Sequence, residues 1–144
     1  MKSYPHTYTA DARGTREGLV AVCSLQLPPM QTAAPPEFDG PGGVWSPETL
    51  LCASLADCFI LTFRAVARAA RFEWTRLDCH VEGVLERVEG VSRFTRFLTV
   101  ANLTLPQGSD LRKGEESLER ADRGCLIANS LLATRALERR VQFE

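Results

Sequence analysis

The chain is poor in the residues that most functional classes of its size depend on. It has only two histidines, His6 and His80, and its five cysteines (Cys23, Cys52, Cys58, Cys79 and Cys125) contain no C-x-x-C pair. Finger- or ribbon-type zinc spacing is therefore missing, and an odd cysteine count without paired spacing argues against a permanent disulfide framework. Charge of one sign is missing too: 17 basic against 18 acidic side chains give a net charge of −1, so no global field favours nucleic acid or an anionic membrane. The stretch MKSYPHTYTADARGTREG has no apolar core of secretory length, which leads us to expect a cytoplasmic protein. The longest apolar run is interrupted by Asp57, Arg64, Arg68 and Arg71 and falls short of the roughly 18 uninterrupted apolar residues of a membrane span.

The 144 residues fit one domain, 1–144, large enough to build a core without cross-links. Residues 3–27 suggest two or three short strands. Leu19, Ala21, Cys23, Leu25 and Leu27 fall on one side of a period-2 ladder, with a turn near Arg13-Gly14 or Glu17-Gly18 and Arg16 at a turn or strand start. Between Pro28 and Ser46 five of the eight prolines and three of the ten glycines are concentrated, and no regular element is expected there. A loop of that length is commonly functional or disordered.

Ser46-Pro47-Glu48 reads as a helix start, with a hydroxyl for the N-cap, proline at the first helical position and an acid in the first turn. The spacing of Leu51, Leu55, Cys58, Phe59, Thr62, Phe63 and Val66 predicts one buried stripe on a helix from Pro47 to about Ala70, with the arginines 64, 68 and 71 on its wet side. Two alternating runs follow, joined by a Glu89-Gly90 hairpin turn. Leu77, Cys79, Val81 and Gly83 share a face of the first, and in the second Phe94, Arg96 and Leu98 oppose Thr95, Phe97 and Thr99. A capped amphipathic helix with Leu111, Leu118 and Ala121 comes next, weakly broken at Gly114. Gly124 ends it, and Cys125 opens a short helix in which Leu126, Ile127, Leu131 and Leu132 can pack inward. ERRVQFE reads as a final edge strand.

Two thiols, Cys58 and Cys125, and an arginine and a glutamate in suggestive places are the chemical candidates. A thiol becomes a good nucleophile when a nearby cation favours its thiolate, and arginine can supply that charge without losing its own. A second thiol can then condense with the resulting sulfenic acid. His80 is excluded as a base for Cys79, since adjacent strand residues face opposite ways. Cys23, Cys52 and Cys79 fit core packing.

The strings Ser46-Pro47-Glu48-Thr49-Leu50-Leu51, Ala56-Asp57-Cys58-Phe59 and Gly124-Cys125-Leu126-Ile127-Ala128-Asn129-Ser130 resemble the OsmC/Ohr family of thiol-dependent hydroperoxide reductases. The resemblance extends from about Thr7 to Phe143. It implies an α+β, OsmC-like fold of antiparallel sheets with long central helices in an intertwined homodimer, with two active sites at the interface. It also implies that Cys58 is the peroxidatic thiol, Cys125 the resolving thiol and Glu48 the carboxylate that holds a catalytic arginine. Arg16, in Thr15-Arg16-Glu17-Gly18, best fits the family's Arg-acid-Gly turn, and Arg13 lies three residues away. An organic hydroperoxide substrate and an external dithiol or lipoylated-protein reductant are implied, with no bound cofactor. The alternative is a non-enzymatic dimer of the same fold that binds an apolar ligand or acts as a redox sensor. Leu126 stands where the peroxidase branch often has proline, and Cys52 is an additional thiol.

Helix geometry adds a test. Glu48 and Cys58 are ten residues apart, about 15 Å of rise on a straight helix. If Glu48 positions an arginine over Cys58, either the helix breaks between them or one of the groups comes from a second chain, and the second chain is the expectation.

Overall fold

The computed structural model describes residues 2–144 and resolves two compact units, Met1–Leu50 and Leu51–Glu144. In the first, β1 (Asp11–Arg13), β2 (Val20–Cys23) and β3 (Met30–Thr32) form an antiparallel sheet in that order. Arg13 pairs with Ala21 and Val20 with Thr32. The β1–β2 connection carries Arg16, as expected of a turn residue. The ladder past Cys23 does not continue: Leu25 and Leu27 are exposed on a turn closed by the Leu27 amide donating to the Ser24 carbonyl at 3.1 Å.

The Pro/Gly-rich segment is more ordered than its composition suggests. Met30–Thr32 is free of both breakers, keeps all its amides and so can pair as a strand. Beyond it, a single 3-10 turn covers Pro36–Phe38, and the Ala33 amide donates to the Trp45 carbonyl at 3.0 Å. Gly40 seals this loop: a Cβ there would lie 1.6 Å from the Ala34 carbonyl oxygen, so no side chain fits.

Helix α1 (Pro47–Ala69) begins as anticipated. Ser46 Oγ accepts from the Thr49 amide at 3.2 Å, and Thr49 Oγ1 accepts from the Ser46 amide at 2.9 Å. This is a reciprocal capping box with threonine in the position usually held by Glu or Gln. Leu55, Cys58, Phe59, Phe63 and Ala67 are its buried residues, while Arg64, Arg68 and Arg71 face solvent. An 18-residue window of this helix reaches a mean hydropathy of 1.8 with only 22% of it buried, so length and composition alone would let it cross a bilayer. Its charged interruptions and its packing on a sheet give it instead the character of a core helix with much apolar surface uncovered.

The second unit contains β4 (Arg76–Val88), β5 (Val91–Leu105), α2 (Leu111–Gly124), α3 (Leu126–Asn129) and β6 (Thr134–Phe143). Its sheet has the order β4-β5-β6. The β4–β5 hairpin turns at Glu89-Gly90, both at positive φ (51° and 82°) as a two-residue turn of this hand requires. β6 takes the expected edge position, starting earlier than expected, and it runs parallel to β5, so this sheet is mixed. Parallel pairing follows from the connection, because α2 and α3 carry the chain back to the starting end of the sheet. The main core joins Phe59, Phe63 and Ala67 of α1 to Leu77, Ala101, Leu103 and Leu105 of the sheet and Leu118 and Ala121 of α2.

Several side chains depart from the expected pattern. A register shift between Val84 and Leu85 leaves Thr95 without a partner opposite it. That bulge reverses side-chain parity, so Phe94 joins Phe97 on the inner face, the rings stacked at 5.0 Å. Gly114 does not break α2. It lets the helix approach β5 and β6, since a Cβ there would meet Val141 at 3.0 Å and Leu103 and Leu105 at 3.3 Å. Asp110 caps α2 by accepting from the amides of Arg112 and Lys113, whereas Leu111 is exposed. The short helix stops at Asn129, and Leu126 (64% exposed) and Leu132 (101%) face water instead of packing inward. One turn of helix can bury only one side, and Ile127, Ala128 and Leu131 take it.

Gly83 pairs with Phe97, and a Cβ at Gly83 would lie 2.7 Å from Phe97, 2.8 Å from Phe94 and 3.0 Å from Cys52 Sγ. Gly83→Ala should therefore cost about 1–3 kcal/mol through overpacking, read as a lower urea midpoint at unchanged slope. A midpoint equal to wild type would show that the rings yield freely.

Candidate active site

Cys58 comes from the middle of α1 because the helical repeat places it with Leu55 and Phe59 on the buried side. Cys125 sits between α2 and α3, where its amide donates to the Asp122 carbonyl at 3.3 Å and its carbonyl accepts from the Asn129 amide at 2.9 Å. The two thiols meet in one apolar cluster with Leu55, Phe97 and Ala128. Both are buried, Cys125 almost completely. Cys58 Sγ also lies 3.9 Å from Thr62 Oγ1, one turn further along α1.

Burial pushes the Cys125 thiol up to about 11, the Ala128 amide partly opposes this, and the neighbouring Cys58 raises it further. Cys79 is likewise pushed up to about 11, first by burial and then by the charge of Cys125. Cys79 packs against the main core, as its inward strand position suggests. Burial also raises Cys52, against the lowering effect of the Gly83 amide. His80 is exposed and pairs with Glu82 at 3.5 Å, on the face opposite Cys79, in line with its exclusion as a base.

Next to Cys125 a crevice of about 10 Å³, room for roughly one water, is lined by Leu55, Phe59, Phe97, Cys125, Asp122 and Arg135 among others. Asp122 and Arg135 are its charged residues, and the reading of the sequence singled out neither. Asp122 falls three residues before Cys125, one helical turn away, and that spacing was the available signal. Arg135 donates to Asn129 Oδ1 at 2.9 Å, and Asn129 Nδ2 donates to the Arg123 carbonyl at 3.0 Å, which ties β6 to both helices around Cys125.

Arg16 and Glu48 belong to the first unit. Arg16 is exposed in the β1–β2 connection, where Thr15 donates to the Glu17 carbonyl and Gly18 takes φ +93°; Arg13 is exposed at the end of β1. Glu48 occupies the first turn of α1, and its Oε2 is buried without a hydrogen-bond partner among the described residues. A buried carboxylate oxygen is costly unless a donor satisfies it. Because α1 is unbroken from Pro47 to Ala69, a helix break does not bring Glu48 to Cys58. Among the described residues no group of three His, Cys, Asp or Glu is arranged to hold a metal ion.

Residues 40–138 match the family model described as OsmC-like protein. The chain belongs to the OsmC-like family. Its relatives include the uncharacterized Bacillus subtilis protein YmaD, 24% identical over 100 residues that make up 67% of each chain. Among solved structures, an OsmC-like protein of unknown function from Vibrio cholerae superposes with a TM-score of 0.86 at 18% identity, covering 94% of this chain and 100% of the other. An organic hydroperoxide resistance protein from Elizabethkingia anophelis gives 0.76 at 20% identity, covering 100% and 99%. OhrB of Bacillus subtilis, also an organic hydroperoxide resistance protein, gives 0.66 at 20%, covering 96% and 98%. These likenesses establish the α+β OsmC-like fold.

Since burial holds Cys79 and Cys125 at about 11, above the value of 9.0 for a solvated thiol, ionisation favours the unfolded chain. The stability they contribute is full below about pH 9 and is lost as pH rises through about 11. The thermal midpoint should fall steeply above pH 9, and Cys79→Ala should make that fall shallower. An unchanged pH slope in the variant would show that Cys79 is not held in the buried, neutral state.

Proposed function

We propose that this OsmC-like chain is a cysteine peroxidase that reduces organic hydroperoxides and works as a homodimer. The observation that carries the proposal is the meeting of two buried thiols, one on a long helix and one at a helix junction, in one apolar cluster. In the reaction Cys58 Sγ attacks the distal peroxide oxygen and the O–O bond breaks. The alcohol leaves with a proton, and Cys58 becomes a sulfenic acid. Cys125 condenses with it to a disulfide and releases water. An external dithiol, either a small molecule or a lipoyl group on a protein, resets both thiols.

The cation required to favour the Cys58 thiolate and the developing charge on oxygen is Arg16, held by Glu48. The unsatisfied Oε2 of Glu48 supports this role, as a buried acceptor matched to a guanidinium donor. The unbroken helix between Glu48 and Cys58 supports placing the two groups in sites completed by different chains, which makes the dimer a condition of activity. The largely uncovered apolar surface of α1 supports the same assembly, since burying it against a second copy would bring about 25 cal/mol for each Å² removed from water. Leu51, Leu55 and Phe59 would receive the apolar part of a bulky peroxide and favour it over hydrogen peroxide. We place the protein in the cytoplasm, away from membranes and nucleic acid.

One equivalent of an organic hydroperoxide, followed by disulfide mapping, should yield a Cys58–Cys125 bond and one equivalent of alcohol. No bond together with no peroxide consumption would sink the enzyme reading, and the same bond without turnover on any dithiol would make the protein a sensor. Arg16→Ala should slow Cys58 oxidation by about 10²–10³-fold, whereas Arg13→Ala should leave it near wild type. Equal effects would move the role to another arginine.

A further inference from the structure

The condensation step has a chemical requirement that the thiol pair does not meet alone. Cys125 lies in apolar surroundings that keep it protonated at neutral pH, yet its sulfur must shed that proton to attack. The hydroxyl leaving Cys58 must gain one.

The crevice beside Cys125 has one carboxylate in its lining, Asp122. Asp122 precedes Cys125 by three residues in the last turn of α2, and its carbonyl already receives the Cys125 amide. Among the described residues its carboxylate has no hydrogen bond or ion pair, although the nearby Arg123 and Glu119 pair with each other. A negative side chain in the last turn of a helix is opposed by the helix dipole, so helix stability does not explain it. Asp122 and Cys125 line the same crevice, which has room for about one water.

We propose that Asp122 is the general base and acid of the resolving step, a role that rests on the peroxidase reading above. Its carboxylate takes the thiol proton of Cys125 as the S–S bond forms and the Cys58 S–O bond breaks, then returns that proton to the departing hydroxide, which leaves as water. Both sulfurs end in the disulfide oxidation level, the oxidising equivalents come from the peroxide already consumed, and Asp122 is regenerated. Arg135 lines the same crevice.

The test separates the two chemical steps in the full-length protein. Reduced wild type and Asp122→Asn receive one equivalent of cumene hydroperoxide, samples are quenched at intervals with dimedone, and Cys58–dimedone adduct and Cys58–Cys125 disulfide are counted by mass spectrometry. In Asp122→Asn the sulfenic acid should form at the wild-type rate and the disulfide should close about a hundredfold more slowly, with Cys58 sulfinic acid accumulating under excess peroxide. Asp122→Glu should recover most of the closing rate. Closure of the Asn variant at the wild-type rate would overturn the proposal and leave the peroxidase reading intact, whereas neither sulfenic acid nor disulfide in wild type would overturn that reading. Should the Asn variant not fold, wild-type closure in D₂O decides the matter: slowing by about twofold is expected for a proton in flight, and equal rates in the two solvents would overturn the assignment.

Discussion

Exclusion of water from the contact between α1 and the β4–β5 sheet is the constraint on which the rest depends. Phe59 and Phe63 press on Leu77, Ala101 and Leu103, and the adjoining cluster of Leu55, Phe97 and Ala128 encloses the two sulfurs. Apolar surroundings do opposite things to different steps of thiol chemistry. They favour an apolar substrate, and they disfavour every thiolate that lacks its own cation or base. Cys125 and Cys79 show the second effect directly. Within the second unit the charged residues beside this apolar cluster are Asp122 and Arg135, which line the crevice at Cys125.

Much of this was legible in the sequence wherever a local rule acts alone. Ser46-Pro47 marked the start of α1, because capping chemistry is decided by neighbouring residues, and the three-and-four spacing through Phe63 marked its buried side. The Glu89-Gly90 turn and the inward set Leu77, Cys79 and Val81 follow for the same reason. Cys58 and Cys125 were visible through resemblance to a family more than through position, since a cysteine on a buried stripe is ordinarily a small apolar residue.

What stayed hidden was set by partners distant in sequence. Phe94 was assigned to the wrong face because the bulge at Thr95 depends on how β4 pairs, and periodicity within β5 cannot report it. Leu126 and Leu132 looked like core residues in a run of leucines, yet the sheet claims the chain from Thr134 onward and leaves room for one helical turn. Gly114 looked like a flaw in a helix until Val141 and Leu103 were seen packed against it. Asp122 carries no motif beyond its spacing of three residues before Cys125, and the shape of the crevice sets it apart from the other acids of α2.

Parallel pairing of β6 with β5 obliges the chain to travel through α2 and α3 before it can return, and Cys125 lies on that excursion. During synthesis Cys58 therefore emerges on a lone apolar helix long before its neighbouring thiol exists, and the pocket closes only after the final strand has docked. Pairings of such high sequence separation are slow to form. The order of synthesis thus leaves a window in which Cys58 is exposed and stands without its neighbouring thiol.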